Sequence, residues 1–130
     1  MKILVLAAAL IAAAPAVAEP FTLMIWETPE ELALRTDTTN AGQAYCGGYM
    51  AFAEEAGAAG VLRGGAPLMT EADSIVTLGT AQEAMGPLRL GGTFQIEVPD
   101  LAAAKDWAAK LPASRTGAVA IHPGYPAPGL

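Results

Sequence analysis

Leu90 to Val98 constrains the fold more tightly than any other stretch of the chain. Phe94, Ile96 and Val98 alternate there with Thr93, Gln95 and Glu97, and a period of two marks a strand with one apolar and one polar face. Pro99-Asp100 follows at once. Asp100 has the short side-chain acceptor that caps a helix start, and Leu101, Ala104, Ala108 and Leu111 then recur at helical spacing, with Trp107 at the stripe's edge and Pro112 as the stop. A one-sided strand running into a one-sided helix leaves both apolar faces to be buried against each other. That excludes an all-α bundle and an all-β sandwich in one step.

The same reading extends upstream. Phe21 to Trp26 is short, aromatic and β-branched, as suits a first strand. Glu27-Thr28-Pro29-Glu30-Glu31 has turn chemistry, with Thr28 placed to cap a helical turn through Leu34. Thr36 to Gly42 is polar and non-periodic, which predicts a loop. From Gln43 to Ala58, Tyr45, Tyr49, Phe52, Ala53 and Ala56 form a helical stripe that should stop between Gly57 and Gly60. Gly47-Gly48 inside it costs about 1 kcal/mol per glycine relative to alanine, so a close approach to the backbone or a loose turn is expected there. Val61 to Gly65 and Asp73 to Leu78 read as further strands, Gly79 to Leu90 as a connection, and Ala118 to His122 as the last strand. The order predicts an α+β fold, a split βαβ sandwich whose antiparallel sheet carries two helices on one face. The other face then needs a cover, for which a homodimer is the expected solution.

The N-terminus has a different logic. Met-Lys, an apolar run from Ile3 to Ala14, and Ala16-Val17-Ala18 before Glu19 reproduce the three regions of a signal peptide. The expected organisation is a leader over residues 1–18, a domain over 19–122 and a Pro/Gly-rich tail over 123–130, and the expected location is periplasmic or secreted. Without the leader, about 47% of the remainder is apolar, ordinary for a globular domain. Six basic side chains then face 13 acidic ones. Such a surface disfavours nucleic acid and, after cleavage, anionic membrane.

Cys46 and His122 are the sole cysteine and histidine. They supply neither an internal disulfide nor a metal-ligand set, and no cofactor is expected. Cys46, with no nearby cation in sequence, is expected to be buried and inert. His122 is the candidate acid/base by intrinsic pKa, with Asp73 as a carboxylate alternative. Arg89, between Gly86-Pro87 and Gly91-Gly92, is the candidate for an anionic ligand. Trp26, Tyr45, Tyr49 and Phe94 could line a pocket between the sheet and the first helix, though core packing accounts for the same aromatics. Two functions stay open: a non-catalytic dimeric module binding a small apolar or weakly anionic molecule, and a small lyase-, isomerase- or hydrolase-type enzyme.

From Phe21 onward the chain resembles the YCII-related family, in particular its DGPF branch. The resemblance rests on Tyr49, Phe52 and Glu54-Glu55, on Ala56-Gly57-Ala58-Ala59-Gly60-Val61-Leu62, and on Met85-Gly86-Pro87-Leu88. Its most specific part is Leu90-Gly91-Gly92-Thr93-Phe94 leading to Pro99-Asp100-Leu101, followed by Trp107-Ala108-Ala109. It implies a ferredoxin-like domain of the dimeric α/β-barrel type. Met85-Gly86-Pro87-Leu88 stands where the branch signature has Asp-Gly-Pro-Phe. The histidine that some YCII-like proteins pair with an aspartate is missing from Asp37 to Tyr45. The resemblance therefore brings no catalytic residue with it, and the sigma-factor association of some DGPF-type proteins does not suit an exported chain.

Overall fold

The computed structural model describes residues 17–80 and 85–126. Apart from Val17 and Ala18, the expected leader lies outside the described residues, as does the end of the tail. Four strands, β1 (Glu19–Glu27), β2 (Leu62–Pro67), β3 (Arg89–Val98) and β4 (Ala118–Pro123), form one antiparallel sheet in the order β2-β3-β1-β4. The helices are α1 (Pro29–Ala33), α2 (Asn40–Ala58), α3 (Leu101–Ala108) and α4 (Ala113–Thr116). This is the α+β split βαβ sandwich expected from periodicity, ferredoxin-like as the family resemblance implies.

Alternation along the central strands sorts the faces. Phe21, Leu23 and Ile25 of β1 are almost fully buried, as are Ile96 and Val98 of β3, and they share a core with Phe52 and Ala56 of α2 and Ala104 and Ala108 of α3. Cross-strand pairing sets the rows: Phe21 faces Ile96, Leu23 faces Phe94, and Ile25 faces Gly92. Phe52 joins the layers, its ring 4.7 Å from that of Phe94 and 6.0 Å from that of Trp107. Met24, Trp26, Thr93, Gln95 and His122 occupy the alternate positions and so belong to the other face. That face is mixed: Trp26 is buried, Met24 and Thr93 are half-buried, and Gln95 and His122 are exposed.

Local chemistry accounts for the helix boundaries. Thr28 accepts a hydrogen bond from the Glu31 amide at 3.1 Å, with Pro29 in the first turn, so the short α1 starts where its cap dictates. Asp100 accepts from the Ala103 amide at 2.8 Å and starts α3. The interior Gly48 meets the next layer closely: a Cβ there would lie 2.8 Å from Pro112 Cγ. Gly60, at φ +72°, terminates α2.

Four expectations need correction. Helix α3 ends at Ala108, so Leu111 is buried in the turn beyond it and Pro112 leads into α4 rather than stopping the helix. Asp73 to Leu78 is not a strand; a 3-10 turn over Ala72–Ser74 gives way to exposed chain with no ladder partner. Branched residues raise strand propensity, but propensity does not dock a segment, and this one pairs with neither edge strand, β2 or β4. Leu101 is 44% exposed, because the cap turns the first helical residue outward and the buried stripe begins at Ala104. Helix α2 starts at Asn40, so the expected loop shrinks to a few residues that Asp37 stabilises by accepting from the Thr39 amide at 2.7 Å.

Candidate functional site

At one end the two layers part. The helix-facing side of the sheet there carries Gly65 and Pro67 from β2, Gly91 and Gly92 from β3, and Ile25 and Glu27 from β1. Residues without bulk cannot reach the helix, and a cavity of about 460 Å³ remains beneath α2. Tyr45, Cys46, Tyr49, Met50 and Ala53 of that helix close it from above, and Phe94 bounds it toward the packed core. The lining is overwhelmingly apolar.

The polar end of the cavity is a four-residue cluster around Glu27. This carboxylate continues the period-two row of Phe21, Leu23 and Ile25 into the interlayer, where its exposure is 2%. Burial of a carboxylate is tolerated only with partners, and Glu27 has three. The Tyr45 hydroxyl donates a short hydrogen bond to Oε1. The Tyr49 hydroxyl donates to the same oxygen at 3.1 Å, and Arg35 Nη2 donates to Oε2 at 3.1 Å. Arg35 is itself held: Nη1 donates to the Leu68 carbonyl at 2.6 Å, Nη2 to the Gly91 carbonyl at 2.6 Å, and Nε to the Tyr45 oxygen at 3.4 Å. The cluster therefore ties β1, the 3-10 turn after α1, α2, β3 and the segment after β2 together.

Backbone geometry makes room for it. Gly91 is the extra residue of a bulge, since Ile25 pairs with Gly92 and Trp26 with Leu90. A side chain on Gly91 would run into the Glu27 carboxylate, with Arg35 Nη2 3.0 Å away. Electrostatics then fix the protons on the tyrosines. Burial, reinforced by the neighbouring carboxylate, pushes the Tyr45 phenol up to about 12. Burial and then Glu27 and Tyr45 raise Tyr49 further still. Both hydroxyls remain protonated donors across the neutral range.

The sequence-predicted residues separate into groups. Tyr45, Tyr49 and Phe94 come together in the cavity lining. Trp26 is buried, but it lies in the alternate row of β1, facing away from α2. Arg89 lines a separate, smaller depression of about 270 Å³ with Pro29, Leu32 and Glu71. His122 is exposed on β4, opposite Thr22, and Asp73 is exposed in its 3-10 turn; neither lines the cavity. Cys46, expected to be buried, is exposed and lines the cavity, because its place on α2 falls beside the Tyr45–Tyr49 row rather than under it. Glu27 and Arg35 were not singled out by sequence reasoning. The signal for Glu27 was present as a carboxylate in phase with an apolar row, but it was masked by the turn chemistry that follows. Arg35 gave no such signal, since its partners lie on four other segments.

Among the described residues, no group of three or more histidine, cysteine, aspartate or glutamate side chains is placed to share a metal ion, and no helix is long and apolar enough to cross a membrane. A comparison with functionally curated proteins finds no match to this chain. The YCII-related domain matches residues 21–126, which takes in the sheet from Phe21 onward, the helices and the cavity. The chain therefore belongs to the YCII-related domain family.

Proposed function

We propose that this YCII-related domain is a non-catalytic binding module for a small, largely apolar molecule, held in the cavity between α2 and the glycine-lined end of the sheet. The observation that carries this reading is the pairing of an apolar hollow of about 460 Å³ with a closed polar cluster. The volume falls within the range of small-molecule sites. The donors of the cluster are spent on Glu27 and on the Leu68 and Gly91 carbonyls, and the acid/base candidates His122 and Asp73 stand outside it. An enzyme of the lyase, isomerase or hydrolase type would need a free general acid or base over the cavity, whereas Glu27, the carboxylate in its lining, is held by three donors.

The module works outside the cytoplasm and as a homodimer. The leader-like order of Met1 to Ala18 supports export. Half-buried Met24, Ala118 and Ala120, adjacent on the sheet face away from the helices, support self-association through that face. Sedimentation of the mature chain tests the dimer: Met24→Glu should shift it to monomer, and a wild-type monomer at high micromolar concentration ends that part of the reading.

Binding is tested by native mass spectrometry of protein recovered from its own host, followed by titration of any released compound. Wild-type protein should carry a stoichiometric adduct, and Ala53→Phe, which fills the cavity from α2, should not. An adduct retained by a folded Ala53→Phe protein would move the site elsewhere. Turnover that depends on His122 would overturn the non-catalytic assignment.

A further inference from the structure

The hydrogen-bond inventory of the Glu27 cluster specifies what the cavity can recognise. Resting on the binding reading above, we infer that its ligand class is a neutral apolar molecule bearing one hydrogen-bond donor, a phenol or alcohol, and that carboxylates and other anions are rejected.

Lone pairs and protons at the polar end decide the class. A carboxylate offers about four acceptor positions, and Glu27 uses three, two on Oε1 and one on Oε2. Tyr49 gives its proton to Glu27, and among the described residues nothing donates to its oxygen. Four donor contacts of the Arg35 guanidinium, out of its five N–H groups, are committed to Tyr45, Leu68, Glu27 and Gly91. Unused capacity at this end of the cavity is thus mainly acceptor capacity, on Glu27 Oε2 and the Tyr49 oxygen. Both tyrosines hold their protons at neutral pH, so this polarity does not reverse there.

Charge leads to the same class. Arg35 and Glu27 neutralise each other at 3.1 Å, so no net positive charge awaits an anion. An entering carboxylate would meet a carboxylate and a phenol oxygen beside largely apolar walls, where desolvation is costly. A cation would lose its hydration in surroundings whose one negative group is already paired. A hydroxyl has neither problem and completes the unused acceptors. Arg89, the sequence's candidate for anion binding, is not among the lining residues.

Four probes of similar shape separate the possibilities: 4-ethylphenol, 4-ethylanisole, ethylbenzene and 4-ethylbenzoate, titrated near neutral pH with amide NMR shifts read at Cys46, Gly65 and Gly92. The phenol should bind about tenfold more tightly than the anisole and ethylbenzene, the effect of one added hydrogen bond, and the benzoate should bind weakest. Tyr49→Phe, which removes one free acceptor while leaving Glu27 two donors, should shrink the phenol-to-ethylbenzene ratio several-fold. Equal affinity for phenol, anisole and ethylbenzene would overturn the inference, leaving a cavity that reads shape alone. Tightest binding of benzoate would overturn it and leave an anion site. Failure of all four probes to shift the lining amides would instead sink the binding reading itself, and this inference with it.

Discussion

Toward Val98, the space between sheet and helices is filled by Phe21, Leu23, Phe52, Ile96 and Leu111, and toward Glu27 the same two layers enclose a hollow floored by glycines. One helix, α2, serves both ends. Its C-terminal half presents Phe52 and Ala56 to the core, and its N-terminal half presents Tyr45 and Tyr49 to Glu27. The packed end holds itself together by dispersion and the hydrophobic effect, which are non-directional. The hollow end cannot use that mechanism and relies on directional hydrogen bonds spanning five segments. Stability and the proposed recognition thus fall in different halves of one interlayer, so each can be perturbed separately.

The largest effect should come from the packed half. Phe52 is 2% exposed and touches the Phe94 and Trp107 rings across two layers. Phe52→Ala should cost about 3–5 kcal/mol of unfolding free energy, from lost transfer energy and an unfilled cavity. Chemical denaturation measures it. A loss below about 1 kcal/mol would mean that the packed half is as loose as the hollow one.

Glu27→Gln probes the other half and should cost about 2 kcal/mol, since the amide keeps the shape but leaves the Arg35 charge without its partner. Arg35 is 28% exposed, so water takes up part of the lost interaction, and the cost stays below that of a fully buried broken pair. The tyrosines add a pH signature confined to this half. Tyr45 is raised to about 12, and Tyr49 is raised as well, against an ordinary phenol value near 10. Between about pH 10 and 12 the unfolded chain gives up phenol protons that the folded protein keeps, so stability present below pH 10 should fall as pH rises through that window. Melting curves across it should flatten in Tyr45→Phe; an equally steep fall in that variant would place the alkaline sensitivity elsewhere.

The two halves also differ in how far the sequence revealed them. The packed half was legible because its physics is periodic: the alternation from Phe94 to Val98 and the Ala104, Ala108 and Leu111 stripe state which side is inside, and Asp100 states where the helix begins. Leu101 misled because hydropathy does not say which way a capped first turn points. The hollow half was only partly legible. Tyr45, Tyr49 and Phe94 stood out as aromatics, but the floor is made of absent side chains, and glycine has no periodic signature. Glu27 and Arg35 are eight residues apart in sequence, and the Gly91 carbonyl that completes the arginine's set is 56 residues from it. Such partners become neighbours only once the β1–β3 register and its bulge are fixed. The extended segment after Asp73 fails for a related reason, since suitable residues make a strand only when the fold brings them against an edge, and this segment meets neither β2 nor β4.

The smallest effect makes the sharpest comparison, because the chemical change is the same at both ends. Ala53 and Ala56 lie one turn apart on α2; Ala53 borders the hollow, and Ala56 is fully buried in the core. Leucine and alanine have similar helix propensity, so a substitution to leucine reports mainly on the space available. Ala56→Leu must force methyl groups into occupied volume and should cost about 1–3 kcal/mol. Ala53→Leu has empty volume to enter and should leave stability within about 0.5 kcal/mol of the parent, while weakening occupancy of the cavity. Paired denaturation curves give the difference directly. Equal costs at the two positions would mean that the glycine floor and α2 already meet, and that the hollow assigned to a ligand is not space a side chain can use.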